Sequence, residues 1–243
     1  MLDGLKIVES REINISMFNE LIFFGHILVV SIFAVIALKL KKEALIALIC
    51  VQAILANVFV TKQMIFYGFC VTCTDIFTVG ISLCLNFLQE YYDKKIAQKT
   101  IWISFFCLIF YLIMSQVHLL YLPAEIDIYH KYFMGLFAPM PRIIIASMFA
   151  YLISQYIDTT IYGFLKTRIN NFVIRNYGSI FASQLVDTLL FSFLGLYGIV
   201  NNIWHIIFIS FLIKLISIII IVPLSRATLW LILEQFFKTK VLD

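Results

Sequence analysis

The chain has 243 residues, of which 63% are hydrophobic and 13% charged, with a mean hydropathy of +1.00. That balance excludes a soluble globular domain and defines an integral membrane protein. The net charge of +4 does not point to nucleic acid, and no nucleic-acid partner is expected; the cations matter through where they lie along the chain.

A membrane-spanning helix needs about 20 mostly apolar residues. Seven stretches meet that length, at residues 20–38, 44–63, 71–92, 100–121, 142–164, 177–200 and 203–224. The expected fold is therefore all-α and polytopic. The residues before the first stretch mix Asp3, Lys6, Glu9, Arg11, Glu12 and Glu20, and no small-residue cleavage site follows it, so it is expected to remain as a transmembrane helix. The connecting segments are short, which leaves no room for a soluble catalytic domain.

The basic residues alternate from loop to loop. Lys39, Lys41 and Lys42 follow the first stretch, and only Lys62 follows the second; Lys94, Lys95 and Lys99 follow the third. Lys131 and Arg142 precede the fifth, Lys166, Arg168 and Arg175 follow it, none separates the sixth from the seventh, and Arg226, Lys238 and Lys240 come last. Alternate loops thus carry 3, 3, 3 and 3 cations against 1, 2 and 0. By the positive-inside rule the N-terminus lies outside and the C-terminus in the cytoplasm, and the alternation requires an odd number of spans.

Five cysteines and four histidines are scattered along the chain. Cys70 and Cys73 form a lone C-x-x-C without a second ligand pair at zinc spacing, and no H-E-x-x-H arrangement exists, so no metal and no cofactor are expected. The chemistry lies instead in a repeated polar pattern. Ser154-Gln155-Tyr156-Ile157-Asp158-Thr159 recurs 29 residues later as Ser183-Gln184-Leu185-Val186-Asp187-Thr188. Each copy sits inside an apolar stretch, where a carboxylate is disfavoured by roughly 2.5–3.5 kcal/mol, so it is expected to line a polar cavity or a transport path. The Gln and Asp of each copy are three residues apart, on one helix face.

Depth, at about 1.5 Å per residue, says which polar groups can meet. Asp158 lies roughly 12 Å from the Lys166 end of its helix and Asp187 roughly 18 Å from Arg175, while Asn57 and Lys214 lie roughly 18–21 Å from their basic ends. The four are expected to converge near the midplane, with Lys214 as a counter-ion to one carboxylate and the other left for a cation, a proton or a donor-rich ligand. Hydrogen-bonded glue between the two helices is the structural alternative. An intramembrane enzyme using Asp158 and Asp187 as acid and base lacks a nucleophile or metal constellation.

Several strings converge on a known family. Arg142-Ile143-Ile144-Ile145-Ala146-Ser147-Met148-Phe149-Ala150-Tyr151, running into Gln155 and Asp158, resembles the signature of the queuosine precursor transporter family, also called the vitamin uptake transporter family. Further matches are Asn57, Gln89-Glu90-Tyr91 before Lys94-Lys95, Ser183-Gln184 with Asp187-Thr188 and Phe191, then Lys214 and Pro223. Asn86 stands where the family commonly has Asp, and Asp93 where it has Gly.

The resemblance implies a six-helix core over residues 44–235, preceded by an additional helix within 1–43 and followed by a cytoplasmic tail, 236–243. It implies import through the inner membrane of 7-deazaguanine bases, namely queuine or 7-aminomethyl- or 7-cyano-7-deazaguanine, for tRNA queuosine modification. The expected binding set is Asn57, Asn86, Gln89, Glu90, Arg142, Gln155, Asp158, Gln184, Asp187 and Lys214. The partners are that substrate and the lipid bilayer, and a homodimer is compatible. The chain has no P-loop, so ATP can act only through a partner; the alternative is therefore the substrate-binding subunit of a multi-component vitamin importer.

Overall fold

The computed structural model describes residues 2–240 except 61, 68, 73, 139–140 and 198–202, and side chains within 18–227 except also 70, 143, 196 and 205. Among the described residues it holds α1 (Leu2–Lys39), α2 (Lys42–Phe59), a hairpin of β1 (Gln63–Phe66) and β2 (Phe69–Thr72), α3 (Asp75–Tyr91), α4 (Lys94–Leu119), α5 (His130–Phe137), α6 (Pro141–Lys166), α7 (Phe172–Phe191) and α8 (Ile203–Lys240). A π-helical turn, Ser192–Leu196, continues α7. Cys73, and the side chains of Cys70 and His205, lie outside the described residues.

Six helical segments are long and apolar enough to cross a membrane: Phe18–Lys39, Lys42–Phe59, Lys94–Leu119, Ile144–Lys166, Phe172–Gly195 and Ile206–Ala227. The chain is thus an all-α polytopic membrane protein with one small hairpin. Its outer surface agrees with a hydrocarbon solvent, since Phe33, Phe106, Phe149 and Phe208 are all more than half exposed on helices that bury their other faces.

The third apolar stretch corrects the sequence expectation. Instead of one helix over 71–92, residues 63–72 pair as an antiparallel hairpin, Gln63 opposite Thr72 and Phe66 opposite Phe69, and the helix starts at Asp75. Aromatic and β-branched residues flanking a tight turn favour the hairpin, and pairing satisfies backbone groups that the bilayer could not. The second stretch ends accordingly at Phe59 rather than 63. With 17 residues α3 is about 25 Å long, short of the roughly 30 Å hydrocarbon thickness.

α3 is instead the axis of the bundle. α1, α2, α4, α6, α7 and α8 all pack on it, and 14 of its 17 residues are buried. Close approach rests on Gly80: a Cβ there would stand 2.6 Å from Val30 Cγ1 of α1 and closer still to Gln52 Oε1 of α2. α1 reaches α3 and α8 with Phe23, Ile27, Val30 and Ala34, spaced as one helical stripe and at most 7% exposed.

Local chemistry sets the helix ends. Asp93 accepts from Lys95 N at 2.7 Å and starts α4, Asn171 accepts from the backbone N–H of Val173 and Ile174 and starts α7, and Pro141 opens α6 where no N–H is needed. α6 and α7 form an antiparallel pair, which turns the two copies of the polar repeat toward a common interior. Pro223 inside α8 has no N–H for the carbonyl of Ile219, and the Tyr177 hydroxyl of α7 donates to that carbonyl at 3.1 Å.

Candidate functional site

The interior polar groups follow one stripe of α3. Asp75, Thr78, Ser82, Asn86 and Gln89 recur every three or four residues and face α6, α7 and α8 along the length of the helix. Three regions lie along it: a cavity toward the hairpin, a closed polar seam at mid-helix, and an ion cluster at the Tyr91 end.

The cavity encloses about 400 Å³. α2 contributes Asn57, the hairpin Gln63, Val71 and Thr72, α3 Asp75 and Thr78, α6 Ser147 and Tyr151, α7 Asp187, Thr188 and Phe191, and α8 Ser210 and Lys214; Ser192 lines it from the π turn. Lys214 is 3% exposed and donates to Asp187 Oδ2 at 2.6 Å, with Asp75 Oδ1 at 3.8 Å. Asp187 Oδ1 also accepts from Ser154 Oγ at 3.2 Å. Two carboxylates therefore share one ammonium. Asp75 Oδ2 and Asn57 Oδ1 are buried with no hydrogen-bond partner among the described residues, so the cavity holds more acceptors than donors. Tyr151 and Phe191 add aromatic surface.

The seam beneath is fully packed. Thr78 Oγ1 donates to Gln184 Oε1, Gln184 Nε2 to Ser82 Oγ, and Ser82 Oγ to Gln155 Oε1, at 3.1, 3.3 and 3.0 Å. One turn further, Asn86 Nδ2 donates to Asn176 Oδ1 and Ser179 Oγ at 3.1 and 3.0 Å. Asp158 lies in this layer beside Ser82, Asn86, Ser179 and Ser183, 0% exposed and bonded to none of them.

At the far end, Glu90 accepts from Arg175 Nη2 at 2.7 Å and from Tyr162 OH at 2.9 Å, while Lys166 Nζ caps the carbonyls of Gln89 and Glu90 at 2.6 and 3.0 Å. These contacts tie α3 to α6 and α7 at an end where Lys94, Lys166, Arg175 and Arg226 gather.

Of the ten residues expected to bind substrate, Asn57, Asp187 and Lys214 line the cavity. Gln155, Asp158, Gln184 and Asn86 lie in the seam, and Gln89 is buried between the seam and the ion cluster that contains Glu90. Arg142 is exposed and donates to the Tyr197 carbonyl at 2.8 Å, bracing the start of α6 against the end of the π turn. The single layer expected of Asp158 with Asp187, Asn57 and Lys214 is in fact two, because Asp158 is four residues nearer its basic helix end than Asp187 is to its own. The carboxylate that shares the cavity with Asp187 is Asp75, absent from the expected set; its signal was the i, i+3, i+7 placement of Asp75, Thr78 and Ser82.

Apolar spans wrapped round a buried axial helix, with an acceptor-rich cavity reaching the membrane interior, make this a multi-pass membrane transporter. The chain belongs to the vitamin uptake transporter family: residues 72–228 match the family model described as "Putative vitamin uptake transporter". It is also 31% identical over 222 residues, 87% of this chain and 95% of the relative, to the "Probable queuosine precursor transporter" of Bacillus subtilis (strain 168). No solved structure matches.

Proposed function

We propose that the chain imports queuosine precursors, 7-deazaguanine bases such as queuine and its 7-aminomethyl and 7-cyano precursors, across the inner membrane for tRNA modification. The observation that carries this reading is the surplus of acceptors in the cavity, where Asp75 Oδ2 and Asn57 Oδ1 lack donors. A guanine-like edge presents a ring N–H and an exocyclic NH₂ side by side, which one carboxylate can accept bidentately. In this reading Asp75 takes that edge, Asn57 and the Lys214–Asp187 pair meet the rest of the base, and Tyr151 or Phe191 stacks on its plane. The likeness to a relative named for queuosine precursors supports the substrate class.

The reading includes seven crossings, with α3 as the short third, an external N-terminus and a cytoplasmic C-terminus, in accord with the cations gathered at the Tyr91 end. Residues 44–235 form the six-helix core and α1 is an addition packed on it.

The test is queuosine content of tRNA in a queuosine-auxotrophic host that expresses the chain and is fed each base separately. Rescue by at least one base is expected; no rescue by any of the three overturns the reading. Rescue in a host stripped of energy modules excludes the importer-subunit alternative.

A further inference from the structure

Among the described residues, Asp158 is the one fully buried carboxylate that does not line the cavity. It stands on α6 with neither oxygen hydrogen-bonded and no exposure, although it is ringed by polar side chains. The ring offers it nothing because its hydrogens go elsewhere. Ser82 donates to Gln155, Asn86 spends both amide hydrogens on Asn176 and Ser179, Ser179 donates to the Asn176 carbonyl and Ser183 to that of Ile180. Asn86 Oδ1, in the same layer, is a second buried acceptor without a donor. Helix-to-helix glue does not look like this: Gln155 and Gln184, its sequence companions, make the interhelical bonds, and Asp158 makes none.

What Asp158 lacks is a donor within reach: Gln155 Nε2, in the same seam, is itself unpartnered and bonds neither Asp158 oxygen, and one proton supplies the missing hydrogen. A carboxylic acid O–H can donate to Asn86 Oδ1 or a serine oxygen, which relieves an orphaned acceptor on each side without adding volume to a packed seam. We infer that Asp158 is the proton-coupling residue of the transporter, taking up a proton from the outer side and releasing it to the cytoplasm once per transport cycle, separate from the base-binding cavity. This rests on the import reading above.

Neighbouring charges leave Asp158 to this role. α6 packs against α3, α4, α7 and the π turn. On α3 and α7, Asp75 and Asp187 are held by Lys214, and Glu90 is held by Arg175. On α6 itself Tyr151 is bonded to Ser104 and Tyr162 to Glu90, and Lys166 caps carbonyls of α3. On α4, Lys94 lies against Gly163 and Cys107 beside Cys50, while the π turn carries no titratable group. None of them is bonded to Asp158.

The experiment uses the purified full chain in proteoliposomes with labelled 7-cyano-7-deazaguanine, a neutral base, or whichever of the three bases counterflow shows to be carried. The wild-type protein should exchange base in counterflow, concentrate it up to about tenfold under an inside-alkaline gradient of about one pH unit, and alkalinise the outer medium when base is added. Asp158→Asn should still exchange base but accumulate it no further than equilibrium. Wild-type exchange without medium alkalinisation, accumulation driven by a sodium gradient in place of the pH gradient, or undiminished gradient-driven accumulation by Asp158→Asn overturns the inference while the import reading stands. If Asp158→Asn fails to exchange, Asp158→Glu, which keeps a titratable acid there, should restore exchange and gradient-driven accumulation together; exchange restored by Asp158→Ser with undiminished accumulation overturns the inference. Absence of wild-type counterflow with all three bases overturns the import reading itself, and the inference with it.

Discussion

Lys214 is the residue on which the cavity's electrostatics turn. One ammonium, 3% exposed, holds Asp187 at 2.6 Å and Asp75 at 3.8 Å, and removing it leaves two buried carboxylates without their shared counter-ion. Breaking a buried pair from one side is strongly destabilising, by about 3–5 kcal/mol, whereas removing the charges together is far milder. Lys214→Met should therefore abolish a monodisperse peak in fluorescence-detected size exclusion, and adding Asp75→Asn and Asp187→Asn should restore it without restoring uptake. Asp75→Asn alone is expected to behave differently. It keeps the Asp187–Lys214 pair and the fold but loses bidentate acceptance of the base, so tRNA queuosine in the rescue assay should fall at least tenfold with normal membrane expression. Unchanged rescue would take Asp75 out of the binding site. Counting turns from the basic helix ends made Lys214 visible as a counter-ion to Asp158 or Asp187 but left open which of the two it holds. Asp75 escaped because an acid at the start of a membrane helix reads equally well as an interfacial residue, and the Thr and Ser that extend its stripe commonly bond only to their own helix.

At the scale of elements, hydropathy finds where apolar chain lies but not how it is folded. The stretches 44–63 and 71–92 run spanning helices into both ends of residues 63–72 and leave 64–70 as their connection, yet the segment pairs as a hairpin whose strand preference periodicity alone cannot separate from a helix. The buried axis is equally hidden, since α3 looks much like any other apolar stretch; only Gly80, where α1 and α2 close in, marks it. Gly80→Leu should prevent that approach and lower the thermal midpoint of the detergent-solubilised protein by several degrees, whereas Gly25→Leu, with open space at its Cβ, should not. The proline in α8 offers a second check. Tyr177→Phe removes the hydroxyl that serves the Ile219 carbonyl left free by Pro223, an expected loss of about 1–3 kcal/mol. Adding Pro223→Ala, which restores the backbone donor, should recover most of it; a Tyr177→Phe protein as stable as wild type would show that the hydroxyl bond contributes nothing.

Over the whole molecule, the two ends of the bundle are built from different materials. The cavity lies beneath the hairpin, whereas at the other end Glu90, Arg175, Lys166 and Tyr162 lock α3 to α6 and α7 with short charged bonds. A transporter must expose its site to one side at a time, and a structure with its cavity at one end and its ion cluster at the other corresponds to access from the hairpin side. In the orientation proposed from the positive-inside rule, that side is the exterior. Thr72, on β2 and in the cavity wall, reports on both assignments at once. With the five native cysteines replaced, Thr72→Cys should react with a membrane-impermeant maleimide in intact cells, and saturating base should slow that reaction. A cysteine at Lys166 should instead react only in inverted vesicles. Labelling of Thr72→Cys confined to inverted vesicles would reverse the orientation, while outside labelling indifferent to every base would keep the orientation and separate the cavity from substrate binding.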